Sequence, residues 1–150
     1  MSTLKVFITS MVILLLSACS IFAVGPKYST MQTTLPVLSK DNGRIFFYRS
    51  DSLFGAGIQP QVKLNGAVVG ESKPGGFFYV DRKSGDYEVV LTSEVDKKLT
   101  FRLDKGQTRY VKMTVGMGVL VYRVYPELID PATAKTDMQE LSYMSPVASK

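Results

Sequence analysis

The stretch VKLNGAVVG, residues 62–70, decides the fold class of this chain. Two short apolar segments flank Asn65-Gly66, and this dipeptide suits a two-residue type I′ turn, because both central residues of that turn need a positive φ. Such a turn would pair Leu64 with Ala67 and Val62 with Val69. The apolar side chains then share one face of the pair, so the stretch predicts an antiparallel β-hairpin that buries that face.

Similar segments recur about every ten residues from Asp41 onward, separated by turn signals. Their patterns predict short strands at 43–49, 61–64, 67–70, 77–80, 87–93, 98–103, 107–115 and 119–125. The last of these is apolar on both faces, which predicts a central strand, and Pro126 should end it. We therefore expect an all-β fold over residues 41–142, a small antiparallel β-sandwich of about eight short strands.

One helix is expected after the last strand. Asp130-Pro131 has the pattern of a helix start, with Asp at the N-cap and Pro at the first helical position. Ala134, Met138 and Leu141 follow at a spacing that places them on one helix face. The pattern predicts a short C-terminal helix docked on the sheet, followed by a C-terminal tail at 143–150 that is frayed from Ser145 to Lys150.

Two aromatic pairs, Phe46-Phe47 and Phe77-Phe78, place one ring on each face of a predicted strand. One ring of each pair should fill the core between the sheets. We expect the other ring to be covered by the N-terminal linker or by the helix; the alternative is an exposed contact for a partner.

Residues 1–18 have the pattern of an export signal. Lys5 precedes an apolar run, residues 6–16, that is too short to cross a bilayer as a stable helix. Leu16-Ser17-Ala18-Cys19 follows, and it resembles the lipobox of bacterial lipoproteins. The alternatives are an ordinary secretory signal, or an N-terminal membrane helix with a chance cysteine. The lipobox is favoured because the chain has one cysteine and it falls at the cleavage point.

The resemblance to lipoproteins implies a processing route and a location. Residues 1–18 would be removed as a signal peptide, and Cys19 would carry a diacylglyceryl group and an N-acyl chain such as palmitate. Ser20, rather than Asp, implies the outer membrane, facing the periplasm. Residues 19–40 would then be the lipidated cysteine and a linker. Part of this linker is a candidate for packing on the domain, through Tyr28, Leu35, Val37 or Leu38.

Composition excludes several kinds of chemistry. The chain has no histidine, so Ser-His-Asp triads, His-based metal sites and imidazole proton shuttles are absent. With Cys19 lipidated there is no free thiol for catalysis, zinc binding or disulfides. We therefore expect no cofactor and no metal site. The formal charge of +5 falls to +4 once Lys5 is removed, which indicates a solvated surface with a slight Lys/Arg excess; the alternative is attraction to an anionic lipid or polymer. We expect no nucleic-acid partner.

Several segments together resemble a known family: GRIFFYR, VKLNGAVVG, GGFFYV, SGDYEVVL and GQTRYVKM. They are similar to the small bacterial lipoproteins that carry domain of unknown function 2846, over roughly residues 41–141. The middle stretch, 62–91, also resembles PEGA-type surface-layer modules. These motifs consist of turn residues and strand alternation, so the resemblance implies a fold. It brings no catalytic residues to this chain.

The function expected from the sequence is a lipid-anchored, non-catalytic module that binds or scaffolds an envelope protein or an anionic envelope polymer. One alternative is an inhibitor or immunity-type lipoprotein. A less favoured one is a cell-wall hydrolase that uses a pair of carboxylates. The scattered Asp residues lie mostly in turns, where they more often bind local backbone N–H groups.

A candidate anion-binding face comes from the segment 98–115. If its two strands formed a hairpin around Asp104-Lys105-Gly106, the outward face would carry Tyr110 and the basic residues Lys98, Arg102 and Lys112, with Lys105 at the tip. Lys98 and Lys112 would then lie nearly opposite each other, which favours an anionic ligand. The alternative is neutralisation by nearby carboxylates, Glu88, Glu94 or Asp96.

Overall fold

The computed structural model describes residues 21–92, 96–118 and 122–147, so the predicted signal peptide and Cys19 lie outside the described residues. Two helices and nine strands follow in chain order: α1 (Tyr28–Met31), β1 (Asn42–Tyr48), β2 (Gln61–Leu64), β3 (Ala67–Glu71), β4 (Gly76–Lys83), β5 (Gly85–Thr92), β6 (Lys97–Leu103), β7 (Thr108–Met117), β8 (Tyr122–Ile129), α2 (Pro131–Met138) and β9 (Ser142–Tyr143). Neither helix has the length and hydropathy needed to span a bilayer, within the part of the chain described.

The strands form two sheets, which confirms the all-β sandwich. A five-stranded sheet has the order β8-β7-β1-β4-β9, and a four-stranded sheet has the order β3-β2-β5-β6. Most neighbours are antiparallel, but β1 pairs with β7, and β4 with β9, in parallel. The sandwich is therefore mainly antiparallel, as predicted, with two parallel pairings that the sequence did not predict.

The hairpin at residues 62–70 forms as predicted at its turn and differs by one residue further along. Asn65 and Gly66 have φ of 47° and 84°, and Leu64 pairs with Ala67. A bulge then pairs Val62 with Gly70 instead of Val69. Both Val69 and Gly70 are buried, and a Cβ at Gly70 would overlap the ring of Phe78, so the bulge brings the strand's backbone against that ring.

The predicted hairpin over residues 98–115 is wrong. β6 pairs with β5 in the four-stranded sheet, whereas β7 pairs with β1 and β8 in the other sheet. Residues 104–107 carry the chain from one sheet to the other. The apolar faces of β6 and β7 both pack in the core, but β6 does so from the four-stranded sheet and β7 from the five-stranded sheet. The alternation of apolar and polar residues specifies which face of a strand is buried, but it does not specify which strand pairs with it.

The prediction of a central last strand is also wrong. β8 is the edge strand of the five-stranded sheet and continues through Pro126, which lies opposite Met113. A proline has no N–H to donate to a neighbouring strand, so it is tolerated on an edge, where that position faces away from the sheet. Residues 119–121 of the predicted strand lie outside the described residues.

Two apolar clusters hold the molecule together. One lies between the sheets and includes Phe47 and Phe78. The other covers the outer face of the five-stranded sheet, where Phe46 and Phe77 pack with Tyr28, Ala134 and Met138. Both aromatic pairs therefore place one ring on each face, as predicted. Tyr28 meets Phe46 and Phe77 edge to face, with ring centroids 6.0 and 5.4 Å apart.

The N-terminal segment and the C-terminal helix both help to cover the outer face of the five-stranded sheet. Of the linker candidates, Tyr28 is buried, Leu35 and Leu38 are half-buried, and Val37 is 96% exposed, so packing through Val37 is wrong. The C-terminal helix forms with Asp130 as its N-cap, accepting from the N–H groups of Ala132 and Thr133.

The C-terminal tail is attached to the sheets as far as residue 147, so the prediction of fraying from Ser145 is wrong over residues 145–147. Tyr143 belongs to β9, the Met144 N–H donates to Phe77 O, and the Val147 N–H donates to Val69 O. These bonds join both sheets, so the tail closes one side of the sandwich. Residues 148–150 lie outside the described residues.

Candidate functional site

The four basic residues of the predicted anion-binding face do not share a face. Lys98 and Arg102 lie outward on the four-stranded sheet, Lys105 lies at the turn after β6, and Lys112 lies on the outer face of the five-stranded sheet. Tyr110, also expected on that face, is buried in the cluster with Tyr28 and Phe46. The predicted face does not form because the prediction paired β6 with β7, and these two strands belong to different sheets.

Each of the four cations has an acidic partner, which supports the alternative of neutralisation. Lys98 pairs with Glu88 at 3.4 Å, as that alternative proposed. The other pairs are Arg102 with Asp86 and Asp104, Lys105 with Asp41, and Lys112 with Asp137, at 3.4, 3.2, 2.7 and 2.7 Å. Glu94 lies outside the described residues. These four cations therefore do not form a common anion site.

A buried arginine that the sequence interpretation missed organises the loop after β1. Arg49 is 1% exposed and donates to three backbone carbonyls: Nη1 to Ile58 O at 2.6 Å and Ser72 O at 3.1 Å, and Nη2 to Gly55 O at 2.7 Å. Its Nε has no hydrogen-bond partner among the described residues. Burial lowers the pKa of Arg49. The guanidinium joins the loop 50–60 to the residues after β3.

The N-terminal segment is tied to the same end of the sandwich. Gln59 Nε2 donates to Ile21 O at 2.9 Å and to Ala56 O at 3.0 Å. The Ala23 N–H donates to Pro74 O at 3.0 Å. We call the end formed by residues 49–60, residues 72–75 and the paired tips of β7 and β8 the proximal end. The distal end carries the turns at 65–66, 83–85 and 104–106 and the start of α2.

Four exposed apolar side chains lie together at the proximal end. Leu53, Phe54, Met117 and Tyr122 are 80%, 70%, 79% and 37% exposed. The rings of Phe54 and Tyr122 are 6.3 Å apart, and Met117 pairs with Tyr122 across the β7–β8 ladder. We call these four residues the proximal apolar patch. Exposed apolar residues grouped in this way are typical of an interaction surface.

A tyrosine, a carboxylate and a lysine meet under α2. Tyr48 Oη and Lys112 Nζ both donate to Asp137 Oδ2, at 3.1 and 2.7 Å. Burial, together with the charge of Asp137, raises the pKa of Tyr48, so this hydroxyl stays protonated at neutral pH and does not act as a base. The three groups satisfy one another and fix the helix on the sheet, which is a structural role.

Other grooves offer little chemistry. A shallow groove of about 450 Å³ on the four-stranded sheet is lined by Asn65, Tyr87 and the paired charges Asp86, Glu88 and Arg102. Over residues 21–92, 96–118 and 122–147, no three of the His, Cys, Asp and Glu residues converge in a way that could hold a metal ion.

Comparison with known proteins identifies the family. Residues 39–124, more than half of the chain, match the family described as "Protein of unknown function (DUF2846)". The chain belongs to the DUF2846 family. The matched region of this DUF2846 chain includes Arg49, the loop 50–60 and the tip of β7, and it leaves out α1 and α2.

A relative of this DUF2846 protein occurs in Haemophilus influenzae. The two are 27% identical over 135 residues, covering 87% of this chain and 79% of the relative, which is named an uncharacterized protein. No solved structure matches the chain. Neither the family nor the relative carries an enzymatic description.

Proposed function

We propose that this DUF2846 protein is a lipid-anchored protein of the bacterial cell envelope whose sandwich is a non-catalytic binding or scaffolding module. The observation that carries the proposal is Leu16-Ser17-Ala18-Cys19, which places the only cysteine of the chain directly after a short apolar run and two small residues. Two or three acyl chains on Cys19 would hold the protein on a membrane, because one chain alone binds reversibly.

The path of the chain after Cys19 supports a module held close to the membrane. Most of the segment expected to be a linker is attached to the sheet, by Gln59 at Ile21, by Pro74 at Ala23, and by burial of Tyr28. Arg44 adds a further attachment, since its Nη2 donates to Pro36 O at 2.9 Å. These contacts leave little free chain between the lipid and the sandwich.

The non-catalytic part of the proposal is supported by the side chains present. No histidine exists in the chain, and lipidation would consume its only thiol. The tyrosine–carboxylate–lysine group under α2 is saturated by its own contacts. Ser20 favours the outer membrane, facing the periplasm, by the sorting rule of the lipoproteins it resembles.

Replacing the anchor tests the proposal. We expect Cys19→Ala to abolish incorporation of a fatty-acid analogue and to leave the signal peptide attached, because no thiol remains to be acylated. Ser17→Ala is the matched control: it keeps a small residue at the cleavage site and should be labelled like the wild type. Labelling should be measured in cells, by gel mobility and fluorescence. Equal label on wild type and Cys19→Ala would refute lipidation at Cys19.

A further inference from the structure

We infer that the proximal apolar patch inserts into the same bilayer leaflet that holds the lipid of Cys19, so that the sandwich stands with its strands end-on to the membrane. This inference rests on the proposed lipid anchor and adds a second contact, made by the folded domain itself. Two independent features of the described residues support it: where the chain enters the domain, and which side chains are exposed there.

The first feature is the reach of the chain. Ile21 follows Cys19 by two residues, so its backbone lies at most about 7 Å from that of Cys19, whatever the conformation between them. The headgroup region on each side of a bilayer is about 5–8 Å thick. Because Gln59 fixes Ile21, and Pro74 fixes Ala23, an anchor on Cys19 brings the proximal end to the lipid surface.

The second feature is the position of the exposed apolar side chains. Nine large hydrophobic residues are exposed in the described part of the chain, and five of them lie at the proximal end: Ile21 and the four residues of the proximal apolar patch. The distal end presents instead exposed ion pairs, such as Arg102 with Asp86 and Lys105 with Asp41. The polarity of the two ends therefore matches a membrane on one side and water on the other.

The loop that carries Leu53 and Phe54 is held rigidly enough to present them. Arg49 binds the carbonyl of Gly55, and Gly55 has φ of 66°, a left-handed conformation that turns the chain directly after Phe54. The Phe54 N–H donates to Ser52 Oγ at 3.1 Å. Tyr122, beside Phe54, has the amphipathic ring that favours the boundary between acyl chains and headgroups.

Few charged side chains lie around the patch, so the contact should be mainly apolar. In the segments that define the proximal end, the described charged residues that are not buried are Asp51, Lys73 and Arg123. Attraction between a charged face and anionic lipid would weaken with salt, whereas insertion of apolar side chains should depend little on it.

A tryptophan introduced into the patch tests the inference, because the chain contains none and the new residue becomes the only indole. The full chain, lipidated in cells and purified, is reconstituted in vesicles of phosphatidylethanolamine and phosphatidylglycerol. Part of the lipid is phosphatidylcholine brominated on its acyl chains near the headgroup. Phe54→Trp is the test variant. Val37→Trp is the matched control, since Val37 is exposed and lies beside Pro36, which Arg44 holds near the distal end.

We expect Phe54→Trp emission to be blue-shifted, to lose a large share of its intensity to brominated lipid, and to resist quenching by iodide. Val37→Trp emission should not be blue-shifted, should keep its intensity in brominated lipid, and should be quenched by iodide. The same pattern should persist at high salt. Both positions are exposed, so neither variant should disturb the fold, and circular dichroism of each sample checks this.

Three outcomes would overturn the inference. Iodide access to Phe54→Trp in a labelled, vesicle-bound protein would reject the lipid contact and leave the anchor intact. Protection from iodide without quenching by brominated lipid would show that a second copy of the chain covers the patch. Absence of fatty-acid label on the wild-type chain would reject the proposed function and this inference with it.

Discussion

The two ends of the sandwich are built by different means. At the distal end, short turns follow local rules: Asn65-Gly66 and Gly106 adopt left-handed conformations, and Asp130 caps the helix that follows it. At the proximal end, a loop of about ten residues contains one left-handed residue, Gly55, and is also held by Arg49 and Gln59, which bind backbone carbonyls far away in the chain. Local chemistry shapes one end, and long-range contacts shape the other.

This difference matters because the two ends also differ in what they expose. The distal end presents paired charges, as expected of a surface in water. The proximal end buries a cation and exposes Leu53 and Phe54. The Arg49 side chain, whose Nη1 and Nη2 donate to backbone carbonyls, and Ile58, which packs against the core, together hold the loop in one shape. Leu53 and Phe54 are thereby free to face outward.

The largest expected effect comes from removing the cation at the proximal end. Arg49→Met removes the donor from the buried carbonyl of Ser72 and from the partly buried carbonyls of Gly55 and Ile58, and we expect it to lower the free energy of unfolding by about 2–4 kcal/mol. Urea unfolding followed by circular dichroism measures it. The matched control is Arg102→Met, an exposed distal arginine, which should change stability by no more than about 0.5 kcal/mol. Equal effects of the two substitutions would contradict the organising role of Arg49.

A smaller effect is expected from the distal turn. Gly66 has φ of 84°, so Gly66→Val forces a β-branched residue into a left-handed conformation and should cost about 1–3 kcal/mol. Gly57→Val, in the proximal loop, is the control. Both glycines have open space around a new Cβ, but Gly57 is not at positive φ. Thermal melts of the two variants should therefore differ, and matching melting temperatures would argue against a type I′ turn at residues 65–66.

The smallest effect is expected at the helix cap, and it depends on pH. Hydrogen bonds from Thr133, and then from Ala132, lower the pKa of Asp130 below its ordinary value. A carboxyl with a depressed pKa in the folded state adds stability above its unfolded pKa of about 4, and this contribution disappears as the pH falls through the folded pKa.

Melting temperatures measured at neutral and acid pH check this. Asp130→Ala should be less stable than wild type at neutral pH, and the gap should close in acid. Asp130→Asn keeps an acceptor for the two N–H groups but cannot titrate, so it should keep most of the neutral stability and lose less of it in acid. A constant gap between wild type and Asp130→Ala across the pH range would count against the cap.

The sequence predicts this molecule well wherever a rule is local. The turn at Asn65-Gly66, the cap at Asp130 and the division of Phe46-Phe47 between two faces all depend on residues close in the chain, and all are confirmed. The bulge that pairs Val62 with Gly70 was not predicted, because it depends on the ring of Phe78 from another strand.

Neighbour relations between strands could not be read from alternation. β6 and β7 each bury one apolar face, and a hairpin or a crossing between sheets satisfies that pattern equally well. The role of Arg49 at the proximal end could not be predicted for the same reason: it depends on contacts between residues far apart in the chain. Arg49 looks like an ordinary charged residue at the end of a strand, and only the folded loop shows that its donors reach Gly55, Ile58 and Ser72. A basic residue opening a Gly-rich loop was the only signal.

Pro126 has a consequence for neighbouring copies of the chain if the proposed lipid anchor holds them on one membrane. Lipid-anchored proteins are confined to two dimensions, where their effective concentration is high and exposed strand edges meet often. β8 is such an edge, and Pro126 near its middle has no N–H to offer a strand from a neighbouring molecule. If Cys19 is lipidated as proposed, crowded copies would stand side by side on one membrane without their β8 edges pairing at Pro126 into a sheet shared between molecules.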